Sequence, residues 1–413
     1  MRALRRVLPV LLAVPLLTLV PGSTAAGAPR CGKFPATIVG TEGPDTLTGT
    51  KQADVIVALG GDDVVEGLGG DDVICGGPGA DRIAGGAGND SLYGGLDAFA
   101  DGPGGTFLVG DVLAGGAGND LLDGGRDDRE ADSRRRLDTY SWADSPIGVV
   151  IDLSGALTPG MGTATGEGAD SIVLGSGHGV LGSAYADTIT GSPRADRVYA
   201  GAGPDTISTG DGVDLVYPDG LEGHEGRDIV DTGAGSDLVS SLTGRDQIST
   251  GRGADFVEAF SPEPTAVDLG PGDDYLGQNV TPGTGAEAQG GGGDDAIAFY
   301  GNLLATQSPG ARFTIDYRTG VTTATGDVVA TGTIGGFEGH RFIGPLRWAF
   351  FGVDLPERVW AIQGGPLRAR MAGGDDQMTG TPGNDLLVGG SGTDTGYGRG
   401  GKDDCRSVER GDC

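Results

Sequence analysis

The side chains best placed to do chemistry are aspartates that recur every nine residues. Asp45, Asp54, Asp63, Asp72, Asp81 and Asp90 follow one another without a gap, and each has Leu, Ile or Val two places later, from Leu47 to Leu92. The phase returns at Asp111 and Asp120, at Asp187, Asp196, Asp205 and Asp214, at Asp228, Asp237, Asp246 and Asp255, and at Asp385 and Asp394. Weaker copies stand at Asp274, Asp295 and Asp376. Paired acids such as Asp62-Asp63 and Asp71-Asp72 could imitate a glycosidase dyad. Their repetition instead favours many equivalent oxygen sites for a hard cation over one catalytic pocket. Apart from Asp187, Asp196 and the weaker copies, these in-phase aspartates are the candidate metal ligands.

Short strands joined by tight turns must position them. The chain has 84 Gly in 413 residues, 58 acidic against 28 basic side chains, and a net charge of -30. Interior Gly disfavours a helical bundle, and the lack of a three-residue Gly period excludes a collagen-like rod. Regular Val, Ile and Leu argue against disorder. The acidic surplus opposes nucleic acid, whose phosphates attract Lys and Arg. A turn followed by a three-residue strand with one inward aliphatic side chain satisfies the nine-residue period.

The best copies read GGPGADRIA (Gly76 to Ala84), GGAGNDSLY (Gly85 to Tyr93) and GGAGNDLLD (Gly115 to Asp123). They match G-G-x-G-x-D-x-U-x, where U is aliphatic. The chain therefore resembles the haemolysin-type calcium-binding repeat family, the RTX repeats, in their secreted actinobacterial form. The resemblance implies an all-β fold, a parallel β-roll or β-helix solenoid with two glycine-rich nonapeptides per coil, and Ca2+ as its cofactor. Asp residues 18 apart would then stack on one edge: Asp45, Asp63 and Asp81 on one, Asp54, Asp72 and Asp90 on the other. Carboxylates about 4.8 Å apart repel. Calcium between coils, held by Asp and turn carbonyls, would offset that repulsion and couple binding to folding. A Gly/Asp-turn solenoid that needs no metal is the alternative. Gln52, Tyr185 and Arg194 replace the Gly two places before Asp54, Asp187 and Asp196, and Gly396 takes the aliphatic place after Asp394.

The expected organisation is a signal peptide at 1–26, a repeat block at 27–125, a loop and strand-rich connector at 126–186, and a second repeat block at 187–298. Non-repeat β-coils at 299–370 and C-terminal repeats with a disulfide-closed cap at 371–413 complete it. FTIDY and TATGD in the fifth segment read as a loose copy of VVIDL and TATGE in the third. A separate domain centred on Phe342 to Trp360 is the alternative there. The charged run with Arg134 to Arg136 reads as a solvated loop.

Arg2, Arg5 and Arg6, an apolar run from Val7 to Val20, and small residues up to Ala26 have the order of a secretory signal. The run is too short for a membrane span. A secreted or cell-surface protein is expected, and export permits disulfides among Cys31, Cys75, Cys405 and Cys413. Local pairing closes the shortest loops. His178, His224 and His340 form no metalloprotease motif and are expected to be lone, exposed residues. The expected function is a calcium-binding structural or adhesive scaffold without catalytic residues, its protein or carbohydrate partner open. The rival is a carbohydrate-active enzyme on a parallel β-helix, which would show a cleft across the strand faces lined by unrepeated Asp, Arg and Tyr.

Overall fold

The computed structural model describes residues 28–413 except 97–109, 127–136, 156–159, 176–177, 221–225, 282, 309, 327–329, 364 and 413. The expected signal, the Arg134 to Arg136 run, His224 and Cys413 therefore lie outside the described residues.

Each nonapeptide forms one short strand, and successive strands alternate between two sheets, so residues 18 apart become neighbours. In the first sheet, Thr46–Thr48, Val64–Gly69, Arg82–Ala87 and Val112–Ala117 stack in parallel, with Leu47 beside Val65, Val65 beside Ile83, and Ile83 beside Leu113. In the second, Val55–Val57, Val73–Pro78, Ser91–Leu96 and Leu121–Arg126 place Ile56, Ile74, Leu92 and Leu122 in file. This all-β parallel solenoid fits the period read from the sequence. The inward aliphatic residues from Ile56 to Leu122 are each at most 2% exposed, so the core is a narrow zipper closed by one side chain per strand.

The nine-residue phase breaks where the second sheet takes in an antiparallel meander. Ala169–Val173 continues the stack on Leu121–Arg126, Met161–Thr165 runs antiparallel beside it, and Val150–Asp152 passes the sheet on to Thr188–Thr190. The same device recurs. Ala330–Gly335 follows Gly283–Gln289, Val321–Thr325 runs antiparallel, and Arg312–Asp316 pairs with Arg347–Phe351. The likeness of VVIDL to FTIDY thus corresponds to one strand position. Its register differs: Ile151 faces Ala164, whereas Ala324 faces Phe313, the counterpart of Val149. A slip of two residues keeps every side chain on its face.

Residues 342 to 360 stay in both sheets, through Gly339–Ile343, Arg347–Phe351 and Arg358–Ala361. Here the zipper widens to hold Phe313, Phe342, Trp348 and Phe350, with Phe342 stacked on Trp348 at 5.1 Å. At the N-terminal end, a small antiparallel hairpin, Arg30–Cys31 with Phe34–Pro35, covers the first coils. The Cys31–Cys75 disulfide ties it to the Val73–Pro78 strand. Cys405 is also disulfide-bonded.

Candidate metal centres

Every repeat aspartate sits at the entry to its strand, and stacking the strands stacks the aspartates. On the first sheet, the Asp45 N–H donates to Asp63 Oδ1 (2.7 Å), and the Asp63 N–H donates to Asp81 Oδ1 (2.9 Å). The ladder continues through Asp111, then resumes as Asp196, Asp214, Asp237, Asp255, Asp274 and Asp295. On the second sheet it runs Asp54, Asp72, Asp90, Asp120, and later Asp187, Asp205, Asp228, Asp246. Asp376 and Asp394 close the first ladder, and Asp385 lies near the end of the second. Apart from Asp45, Asp54 and Asp196, one carboxylate oxygen of each member thus satisfies a backbone donor of the preceding coil, a structural duty that holds with or without metal.

The other oxygen is what distinguishes the copies. In turns that start with Gly, a Cβ on Gly76 would fall under 3.0 Å from Asp81 Oδ2 and 2.7 Å from the Gly94 carbonyl oxygen of the next coil. Gly67 stands in the same relation to Asp72 and Gly85, and Gly85 to Asp90 and Gly115. Gly389 places Asp394 Oδ2 against the Ser407 carbonyl. The first glycine is therefore required because carboxylate and carbonyl oxygens fill the space a side chain would take. Asp72, Asp81, Asp90, Asp120 and Asp394 each keep Oδ2 buried with no hydrogen-bond partner among the described residues. The same holds for Asp63, Asp205, Asp214, Asp228, Asp237 and Asp255.

A second type of turn keeps the first glycine, as at Gly49, Gly182 and Gly380, but carries a hydroxyl four places before the Asp. Thr50 donates both its N–H (2.7 Å) and its hydroxyl (2.8 Å) to Asp54 Oδ2. Thr41 serves Asp45 in the same manner, while Ser183, Ser192 and Thr381 donate their N–H to Oδ2 and their hydroxyl to Oδ1 of Asp187, Asp196 and Asp385. The same hydroxyls accept the N–H groups of Gln52, Tyr185 and Arg194, closing a turn without a left-handed residue. That explains why these three positions dispense with Gly, whereas Gly79, Gly88 and Gly118, at the equivalent place, have φ of 153°, 150° and 144°.

A third type, in the second block, has Thr209, Thr232 and Thr250 in place of the first Gly. Their hydroxyls run a ladder of their own, Thr209 to the Thr232 carbonyl and Thr232 to the Thr250 carbonyl.

Electrostatics follow depth. Burial, reinforced by neighbouring column carboxylates, pushes Asp81 and Asp120 up to about 7 and Asp205 up to about 8. Burial also raises Asp54, but hydrogen bonds from Thr50 and Thr37 outweigh it and leave that carboxyl below its ordinary value. An all-oxygen donor set of buried carboxylates and convergent carbonyls, with one oxygen left over on each Asp of turns such as those of Asp72, Asp81 and Asp90, suits a hard divalent cation such as Ca2+ and offers nothing to a soft one.

A family model for the RTX calcium-binding nonapeptide repeat matches residues 39–74, 75–98, 110–128, 181–216, 221–257 and 372–405. This chain carries RTX repeats. No curated protein matches it. Outside the RTX segments the first ladder continues with longer acids: the Asp295 N–H donates to Glu338 Oε2, and the Glu357 N–H to Asp376 Oδ1. Asp138 and Asp170 likewise extend the ladders past Asp111 and Asp120, and Asp403 and Glu409 end them. Asp138 and Asp403 keep the nine-residue phase but have Tyr140 and Cys405 in the aliphatic place, whereas Asp170, Glu338, Glu357 and Glu409 fall off it because the coil lengths there are irregular.

The acidic pairs do not form dyads. Asp63 and Asp72 point into the ladders, while Asp62 accepts from Ala80 N–H and Asp71 from Asn89 N–H of the next coil. The histidines correct an expectation, since His178 and His340 are buried. His178 takes a ladder position beside Asp196, with Nδ1 3.1 Å from its Oδ1. His340 is enclosed by Tyr317 and Phe350, and burial pushes its imidazole down to about 3. Both lie on coil positions whose side chains point inward. A groove of about 750 Å³ crosses the outer face of the second sheet, lined by Arg227, Arg245, Asp231, Asp268, Glu287 and others, none of them aromatic. Among the described residues, no helix is long and apolar enough to cross a membrane.

Proposed function

We propose that the protein is a secreted scaffold whose RTX turns bind several Ca2+ ions and are stabilised by them, in a structural or adhesive role outside the cell and without catalysis. The observation that carries this reading is the set of buried, unpartnered Oδ2 atoms facing carbonyls in glycine cradles. Asp72, Asp81, Asp90, Asp120 and Asp394 would hold calcium in such cradles, with Asp63, Asp111, Asp205, Asp214, Asp228, Asp237 and Asp255 as further oxygen donors. Asp45, Asp54 and Asp385 are served by their own Thr hydroxyls and Asp246 by Ser241, so these four contribute less to binding. Export is supported by the order of residues in Met1 to Ala26 and by the Cys31–Cys75 disulfide. Isothermal titration of the metal-free chain with Ca2+ tests the reading: several ions per chain are expected, and one ion or none would overturn it.

A second reading, action on carbohydrate, is favoured by the groove over the second sheet, which sets Arg beside Asp and Glu as the rival hypothesis requires. It lacks the aromatic surface on which sugar rings stack. Titration with acidic and neutral oligosaccharides separates the two: no binding leaves the scaffold alone.

A further inference from the structure

Outside the matched repeat segments, Asp219 stands on an insertion between two coils of the second block. Between Asp205 and Asp228 the spacing is 23 residues instead of 18, and the insertion carries Pro218-Asp219-Gly220. These residues fall in the gap between two matched RTX segments, 181–216 and 221–257. Asp219 nevertheless turns inward and is 1% exposed. Its Oδ2 accepts the N–H groups of Leu242 (2.9 Å) and Thr243 (3.2 Å), and its Oδ1 accepts the Thr243 hydroxyl (2.6 Å). A carboxylate from outside the repeat is thus pinned against the second ladder.

There it meets two others. Asp219, Asp228 and Asp246 each offer an oxygen, and the three atoms lie within 4.8 Å of one another. Oxygens that share one calcium at 2.3 to 2.6 Å can stand at most about 5.2 Å apart, so the three can share an ion. Asp246 is oriented by the Ser241 hydroxyl on Oδ2 (2.6 Å) and the Asp228 N–H on Oδ1 (2.9 Å). Asp228 is fully buried, and its Oδ2 has no hydrogen-bond partner. No Lys or Arg among the described residues pairs with any of the three. Three buried carboxylates, one with an unserved oxygen and none with a cationic partner, call for a cation.

We infer that Asp219, Asp228 and Asp246 form a divalent-cation site, suited to calcium, built by an insertion rather than by the repeat motif. It differs from an RTX turn in its donors. Asp246 has Ser241 where the turn's first Gly would stand, and Asp219, nine residues before Asp228, sits in a turn outside the matched repeat segments. The site shares two ladder members with the RTX reading but stands on its own ligand set. Its role follows from its place: it fastens the coil of the second block that carries the five-residue insertion.

Asp219→Asn tests it, because an amide keeps an acceptor for the two N–H groups and a polar partner for Thr243 while removing the charge. The whole chain and the variant would be loaded with Ca2+ and their bound ions counted by native mass spectrometry. One ion fewer in the variant is expected, and an equal count overturns the inference. Anomalous scattering from calcium-grown crystals of the unaltered chain makes the test independent of the variant's folding. A peak among the three carboxylates supports the site. Peaks in the glycine turns with none at Asp219 overturn this inference alone, whereas no peaks anywhere overturn the RTX reading as well.

Discussion

Gly76 and Asp81 occupy one shared space: the carboxylate of Asp81 stands where a side chain on Gly76 would have to begin. The backbone of Gly76 has no left-handed conformation to protect, so the demand for glycine there is purely steric. Gly76→Ala is therefore expected to displace Asp81 Oδ2, destabilise the fold by about 1–3 kcal/mol and remove calcium from that turn. Gly43→Ala, where a Cβ meets nothing within 4 Å, serves as the control and should leave both properties near the wild-type values. Thermal melts and calcium titration of the two variants read the difference.

The Thr50 hydroxyl does for Asp54 what metal is proposed to do for Asp81. Thr50→Val should lower the stability of the metal-free protein by about 1 kcal/mol, the usual worth of one such hydrogen bond, and leave the number of bound ions unchanged. A drop in stoichiometry would show that Asp54 is an ordinary calcium turn.

Leu68 stands where most turns have their second glycine, with φ of 76° and its side chain 47% exposed. A left-handed Leu costs about 1–2 kcal/mol, and little packing offsets it. Leu68→Gly is expected to raise the melting temperature, by less than that strain because Gly also loosens the unfolded chain. An unchanged or lower melting temperature would contradict the strain assigned to this turn.

The pH dependence has opposite signs with and without metal. Burial raises Asp90 to about 6, Asp81, Asp120, Asp214 and Asp228 to about 7 and Asp205 to about 8, all above the ordinary 3.8. Carboxyls raised in the folded state bind protons more readily than the unfolded chain does. The metal-free fold is accordingly most stable near pH 4 and loses stability as pH rises towards 8. Calcium competes with those protons, so its affinity should rise over the same interval. Melts of dialysed, metal-free protein at pH 5 and pH 8 check the first half, and a higher melting temperature at pH 8 would refute it.

Much of the fold was legible because one residue type recurs at one phase. The Asp45 to Asp120 series, with its trailing aliphatics, gave the nine-residue unit and the inward file from Ile56 to Leu122, and the resemblance to RTX repeats implied the two-unit coil and its two edges. The differences between copies were not visible in the Asp positions, since they reside four and five places earlier, in Thr50, Ser183 or Thr209 against Gly76. Glu338 and Glu357 escaped notice for another reason. A longer side chain reaches the ladder from a coil whose loops have no fixed length, so neither residue type nor spacing marks it. The buried His178 stands in phase, 18 residues before Asp196, and was missed because the ladder positions were read for aspartate alone.

The most direct measurement is thermal unfolding of the chain from Gly27 onward followed by circular dichroism, with calcium removed by a chelator and then restored at millimolar concentration. If glycine-cradled carboxylates hold ions that secure the coils, the metal-free protein at pH 8 should lose much of its β signal or melt far lower, and calcium should restore both. Identical spectra and melting temperatures in the two conditions would contradict the account.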